Sequence, residues 1–430
     1  MMKARISTAC SVLLVWLACA SLWAEDWSQF RGAYGQGVVA ESKLPVRWTS
    51  DRGIRWSTEL SGRANSSPAV TAQRVDLTTQ RDDGSLWVLS FERASGKLIR
   101  EVRVGTGKLS AKGPANLYAH RHNPATPSPI ADDDNIWAFF GTGLLTCVDA
   151  SNGKIRWSKD LVKEYGEYDI TFGMGASPRL HGDHLYLACL TKGPSYVVAI
   201  DKATGREIWK TDRRYPSKDD GPDAYSTPTI YQSSKGLSLL ISGCDHVDAY
   251  DLVSGKRQWF APGLAIDSPY GRVIASAVGT RDGVVVATSA NPAGGGKGRV
   301  IGVQFDDTKR QLWSIDSSTP DSASPVIVDE LLYLVADNGV ATCADVRTGK
   351  VHWKKRISTG RGAYHASVVA GGDKVYFVNI DGQCTVVEHG VAGKVLATNQ
   401  LPGTFYATPA IAGGELYLRA YERLYVVDGQ

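Results

Sequence analysis

From about residue 65 onward the chain alternates short apolar runs with polar or glycine-rich turns, and the alternation recurs. The stretch ASPVIVDELLYLVADNGVATCADVRTGKVHW (Ala323 to Trp353) holds one full unit. An apolar run after Ser-Pro, then LLYLVA, VATCADV and KVHW, give four β-type segments separated by turns. The Ser/Thr-Pro marker returns in SSPAV, PSPI, ASPRL, STPTI, ASPVI and ATPAI, with ASAV and ASVV as weaker copies. The proline or its substitute falls at 68, 129, 178, 228, 277, 325, 368 and 409, a mean spacing of about 49. Eight units of four strands predict an all-β, eight-bladed β-propeller with four-stranded antiparallel blades.

A second marker closes most units. DASNGKIRW, DKATGREIW, DLVSGKRQW and DVRTGKVHW place Asp149, Asp201, Asp251 and Asp345 four residues before a glycine, with a tryptophan four residues after it. A short carboxylate there can accept hydrogen bonds from the turn's own amides, while glycine takes the positive φ of the hairpin. The aspartates are predicted to lock turns, since four copies at one turn position cannot all face one substrate. Trp157, Trp209, Trp259 and Trp353, with Trp56 and Trp313, are predicted to lie on outer strands and fill the gaps between blades. Two units carry Arg100 and Ala397 instead, so packing there must be supplied otherwise.

The last unit stops one strand short, whereas GIRWSTEL (Gly53 to Leu60) is a lone tryptophan strand ahead of the first marker. That strand is expected to complete the eighth blade, removing two free edges. The predicted organisation is a signal peptide over 1–24, an N-terminal segment over 25–52 packed on the ring, and one propeller over 53–430.

Composition adds a compartment. Lys3 and Arg5 precede an apolar run, Val12 to Ala20, that is short for a bilayer span, so the chain reads as exported, periplasmic or extracellular. Cleavage after Ala20 or Ala24 fits, as does the alternative of lipid anchoring at Cys19. No later run approaches the roughly 20 apolar residues of a spanning helix. Without the segment, 46 basic residues face 44 acidic ones. That balance argues against a nucleic-acid partner, and the expected state is a monomer. The cysteines beyond it, Cys147, Cys189, Cys244, Cys343 and Cys384, form neither a disulfide framework nor a CxxC motif. Cys147 and Cys343, six residues before the repeated glycine, are expected in the core.

The D-x-x-[TSN]-G-[KR]-x-x-W and [ST]-P pattern, from Gly53 to Gln430, resembles the repeat of the pyrroloquinoline-quinone-like (PQQ-like) propellers. This family includes quinoprotein alcohol dehydrogenases and BamB-type outer-membrane assembly scaffolds. DWSQFRG (Asp26 to Gly32) is similar to the leader of many exported members, and Trp27 and Phe30 are expected to anchor it by packing. The resemblance implies, for a dehydrogenase, an adjacent Cys-Cys disulfide, a tryptophan beneath the quinone, calcium and a catalytic Asp. This chain has no adjacent cysteines and no EF-hand-like carboxylate run, so no catalytic residue is assigned.

Loops entering each Ser-Pro marker converge on one mouth of the central channel and are rich in aromatic rings and histidine. His120, Arg121, His122, Asn123, Asp169, Tyr225, Arg272, Tyr364, His365 and Tyr406 are the candidate ligand-binding residues there, with the three tyrosines as ring-related copies. The other reading has the tyrosines packed between blades and the histidines in solvated loops. The trio His120, His122 and His365 could hold a metal only if folding joined them; without Glu or Cys at ligand spacing no metal is predicted. The expected function is a binding or assembly scaffold for a protein partner in the cell envelope, without a cofactor. Alternatives are a PQQ- and calcium-dependent alcohol or sugar dehydrogenase and a carbohydrate-binding module.

Overall fold

The computed structural model describes residues 27–109, 122–291, 297–306, 308 and 310–429. Among the described residues eight blades stand around one axis, each of four antiparallel strands in simple up-and-down order, with a short fifth strand added in parallel to the inner edge of blade 7. Blade 1 runs Ala69–Val70, Arg74–Gln80, Ser85–Glu92 and Leu98–Thr106 from hub to rim, and blades 2 to 7 repeat the plan. Blade 8 takes Ala410–Ala412, Glu415–Arg419 and Arg423–Val427 from the end of the chain, and its outer strand, Ile54–Glu59, from the beginning. Trp56 pairs with Val426 and Ser57 with Tyr425, so the ring is closed as the sequence predicts. Among the described residues there is one helix, Leu161–Tyr165, capped by Asp160. Among the described residues no helix is long and apolar enough to cross a membrane.

The repeated turn and the tryptophan form two halves of one joint. Asp201 accepts from the amides of Ala203 and Thr204 at 3.1 and 2.8 Å, and Asp149, Asp251 and Asp345 hold their turns likewise. Each tryptophan lays its indole across the turn of the next blade. Trp157 donates Nε1–H to the Lys202 carbonyl at 3.1 Å, Trp209 to Leu252, Trp259 to Asp306, Trp313 to Val346, Trp353 to Gly390 and Trp56 to Arg93. The ring lies so close to the turn glycine that a Cβ on Gly205 would stand 2.7 Å from Trp157, and one on Gly349 2.6 Å from Trp313. Glycine is therefore demanded twice, by positive φ and by the neighbour's indole.

Arg100 does the same work where blade 1 lacks its ring. Its guanidinium reaches over Gly153 and donates to the carbonyls of Ala150 and Ser151, both at 2.6 Å. Beside Ala397, the N-terminal segment fills the gap between blades 7 and 8. Trp48 is buried there, its amide bonded to Asn399, and Pro45 packs on Gly429.

Upstream of that, residues 27–41 form a belt around the hub that touches every blade in turn. Carbonyls of Trp27, Ser28, Tyr34 and Gly37 accept from Val70, Ala131, Ile230 and Ala370, on blades 1, 2, 4 and 7. Gln29 pairs with the backbone of Leu180 on blade 3, and Gln36 accepts from Gly279 on blade 5. Arg31 donates to Pro325 on blade 6, and Glu41 accepts from Gly413 and Gly414 on blade 8. Val38–Val39 also pairs in parallel with Val369–Gly371. The belt thus satisfies backbone groups that the inner strands would leave bare at one end of the channel. The five described cysteines are buried and free.

Candidate functional site

The opposite end of the channel opens into a cup of about 210 Å³. Its wall follows from the period-two geometry of extended chain: as each blade's inner strand approaches its marker, every second residue faces the axis. The residue immediately before the proline or its substitute supplies a hydroxyl in all eight blades: Ser67, Ser128, Ser177, Thr227, Ser276, Ser324, Ser367 and Thr408. Two residues earlier stand Asn65, Thr126, Gly175, Tyr225, Ile274, Ser322, His365 and Tyr406. Phe30 of the belt, His122, Phe172, Arg272 and Asp321 complete the lining.

The hydroxyls are linked across seven of the eight blade junctions. The backbone N–H of Ser67 donates to Ser128 Oγ at 2.9 Å, that of Ser128 to Ser177 Oγ, that of Ser177 to Thr227 Oγ1, and so on through Ser276, Ser324 and Ser367 to Thr408 Oγ1. Blades 2 to 8 thereby each hand a neighbour an acceptor, and no such bond joins Thr408 to Ser67. This ring is what the Ser/Thr of the marker is for, and the marker proline is secondary: Ser276 and Ser367 keep the bond where alanine and valine replace proline.

Above the ring two stacks stiffen the mouth. His365 lies flat on Tyr406, with centroids 5.4 Å apart and 4° between planes, and Tyr406 on Tyr421 at 5.4 Å and 17°. Arg63 covers Tyr421 at 4.4 Å. Across the cup Tyr225 stacks on Phe172 at 6.3 Å, and the Arg272 guanidinium lies over the Phe172 ring at 4.8 Å. Arg272 is 4% exposed. Its Nη1 lies 3.8 Å from Asp220 and its Nη2 3.6 Å from Asp321. Both separations exceed a hydrogen bond, and Nε and Nη1 have no hydrogen-bond partner among the described residues. Burial pushes the His122 imidazole down to about 4, so it is neutral at physiological pH, and its Nε2 has no partner among the described residues. Burial also raises Asp223 above the usual carboxylate range and Tyr225 well above the usual phenol range.

Of the residues singled out from sequence, the cup brings together His122, Tyr225, Arg272, His365 and Tyr406. Tyr364 is a correction. It is fully buried in the blade, where its hydroxyl accepts from Gln383 at 3.4 Å, and it takes no part in the wall. Tyr225 and Tyr406 stand three residues before their markers and Tyr364 four, and a one-residue slip in extended chain turns a side chain to the other side. His365 is the ring-related copy instead. Asn123 and Asp169 also lie off the wall; Asn123 Oδ1 accepts from Ala125 N at 2.9 Å and shapes the loop. Phe30, expected to serve only as an anchor, forms the floor of the cup. His120 and Arg121 lie outside the described residues. Among the described residues no group of three His, Cys, Asp or Glu is placed to hold a metal ion.

A family profile described as "Outer membrane protein assembly factor BamB" matches residues 20–167, 87–219 and 141–390. The chain is 25% identical over 284 residues to Outer membrane protein assembly factor BamB of Yersinia pestis, covering 62% of this chain and 63% of that protein. The matched stretch therefore spans less than two thirds of that relative's length. Among solved structures, BamB from Moraxella catarrhalis superposes with a TM-score of 0.62 at 15% identity, covering 87% of this chain and 98% of that one. A europium-containing methanol dehydrogenase superposes at 0.65 with 11% identity, covering 94% and 98%. At such identities these two likenesses speak to the fold alone.

Proposed function

Because the chain belongs to the BamB-type family of PQQ-like propellers, we propose that it is an exported, non-catalytic assembly platform that holds a protein partner of the cell envelope at the mouth of its channel. The observation that carries this reading is the asymmetry of the hub. The belt occupies one end, and the other presents a cup rimmed by interlocked rings and two arginines. Interlocked walls lose little freedom when a partner docks, which is how a rigid scaffold gains affinity from a modest contact. The notch beside the cup, between Arg63, Thr404, Tyr406 and Tyr421, offers room for one inserted side chain. Aromatic and arginine side chains in such a place are typical anchors of protein interfaces.

The residues present do not fit a calcium-bound quinone. Among the described residues Asp321 is the one acid on the wall, and it already faces the Arg272 guanidinium, whereas calcium calls for six to eight oxygen ligands. The free cysteines lie in five different blades, so no vicinal disulfide can form over the cup.

Capture of envelope proteins on the immobilised chain tests the platform. One specific partner should be retained by the parent and lost with the double variant Tyr225→Ala, Tyr406→Ala; retention by both would move the contact away from the mouth. Adding pyrroloquinoline quinone with calcium should leave the melting temperature unchanged, and a saturable rise would restore the dehydrogenase reading.

A further inference from the structure

Three arginines at the hub carry charge that nothing described neutralises. Arg31, Arg179 and Arg419 are each 1% exposed. Arg31 donates to the carbonyls of Gln36 and Pro325, Arg179 to those of Phe30, Gly32 and Pro228, and Arg419 to the carbonyl and hydroxyl of Ser66. All these acceptors are neutral. Among the described residues none of the three has a carboxylate partner; burial pulls each guanidinium down to about 9, still protonated at neutral pH. A buried ion without a counter-charge is costly, and three around one axis reinforce one another.

Their positions relate them to the hydroxyl ring. Pro228 follows Thr227, Pro325 follows Ser324, and Ser66 precedes Ser67, so each guanidinium grips backbone one residue from a ring member. Seven of the eight ring oxygens, all but that of Ser67, accept a backbone N–H bond, and the ring O–H groups have no acceptor among the described residues. An annulus of O–H donors, almost wholly buried, thus surrounds the axis with positive charge behind it. The 210 Å³ cup that the ring helps to line has room for several water-sized guests, each needing about 10–15 Å³.

We propose that the ring holds a small anion on the propeller axis, a halide or a compact oxyanion such as sulfate or a carboxylate, which acts as counter-ion to the three arginines. The anion pins the hub where all eight blades meet. At the mouth, Asp220 and Asp321 already flank Arg272, which places the anion at the level of the ring. The site is independent of the platform reading, since a protein partner can dock whether or not the ring is loaded.

The test is thermal melting of the purified full chain at constant ionic strength, titrating chloride, bromide, sulfate and acetate against a bulky sulfonate buffer that the cup excludes. A saturable rise with at least one small anion is expected, and the series separates halide from oxyanion. In the double variant Ser276→Ala, Ser367→Ala the half-saturating concentration should rise roughly tenfold. A melting temperature that stays the same at constant ionic strength, whichever small anion replaces the sulfonate, would overturn the proposal. Because that variant also loses ring bonds, crystals of the parent soaked in bromide give a second readout. Anomalous density on the axis inside the ring supports the site, and peaks confined to surface lysines and arginines, with ordered water on the axis, reject it.

Discussion

At the scale of single residues, the joint between blades rests on a glycine and an indole that exclude any third party. Gly349 has φ +69° and its missing Cβ would lie 2.6 Å from Trp313 Cγ. Gly349→Ala should cost about 2–4 kcal/mol, combining left-handed backbone strain with a steric clash. Trp313→Ala should cost about 3–5 kcal/mol. If the clash is the larger part, the two will not add: in the Trp313→Ala background the glycine change should fall to about 1 kcal/mol, read from urea unfolding in a double-mutant cycle. Acid acts at a second residue. His122 is neutral in the fold down to about 4, whereas an unfolded histidine protonates near 6.5. Between those values the unfolded chain binds the extra proton, so this contribution is complete above pH 6.5 and is lost as pH falls toward 4. Buried Asp76, raised to about 6, works the other way over part of the same window. Comparison with His122→Gln isolates the histidine: between pH 7 and 4.5 the parent should lose about 2 kcal/mol more than the variant. The turn aspartates Asp149, Asp201, Asp251 and Asp345, held below the usual range mainly by local hydrogen bonds, give way only below about pH 4.

At the scale of elements, the inner strand of each blade reads its own sequence two residues at a time. The repeat, the turn and the tryptophan were legible because they recur in register, and eight copies let one unit correct another. The hydroxyl ring is written in the sequence as a Ser or Thr before every marker, but its role lies in contacts between blades, which no single unit displays. The side chains of the mouth were less legible, because Tyr364 and His365 compete for one slot and only strand phase decides between them. Ser276→Ala tests the ring: it strands the buried Thr227 amide, now bonded at 3.0 Å, and should cost about 1–3 kcal/mol, while Ser276→Thr should cost well under half of that. Equal losses from both would mean that the site tolerates no change in shape and that the hydrogen bond is incidental. The Arg100 joint in blade 1 shows that the slot selects for a flat group with a donor at its tip, which both indole and guanidinium provide.

At the scale of the whole molecule, the beginning of the chain is used twice, and the two uses are separable. Ile54–Glu59 closes the ring by completing blade 8, whereas the belt of residues 27–41 closes the channel. The first was foreseeable, since a missing fourth strand leaves a count that does not close; of the second only the expectation that residues 25–52 pack on the ring could be formed, because the belt has no repeat and its path is dictated by eight unlike contacts. A chain beginning at Gly53 should therefore still form the ring, because every blade keeps four strands. It should melt lower, and the amides of Val70, Ala131, Leu180, Ile230, Gly279 and Ala370, which now donate to the belt, should lose protection from hydrogen exchange. A chain beginning at Ser61 removes the outer strand as well and bares Arg423–Val427 as an open edge, a template for pairing with another copy. It should elute as oligomers or aggregate, while the longer truncate stays monodisperse. If the Gly53 chain aggregates as readily as the Ser61 chain, the residues ahead of Gly53, belt and Trp48 segment together, and not the borrowed strand are what hold the eight blades together.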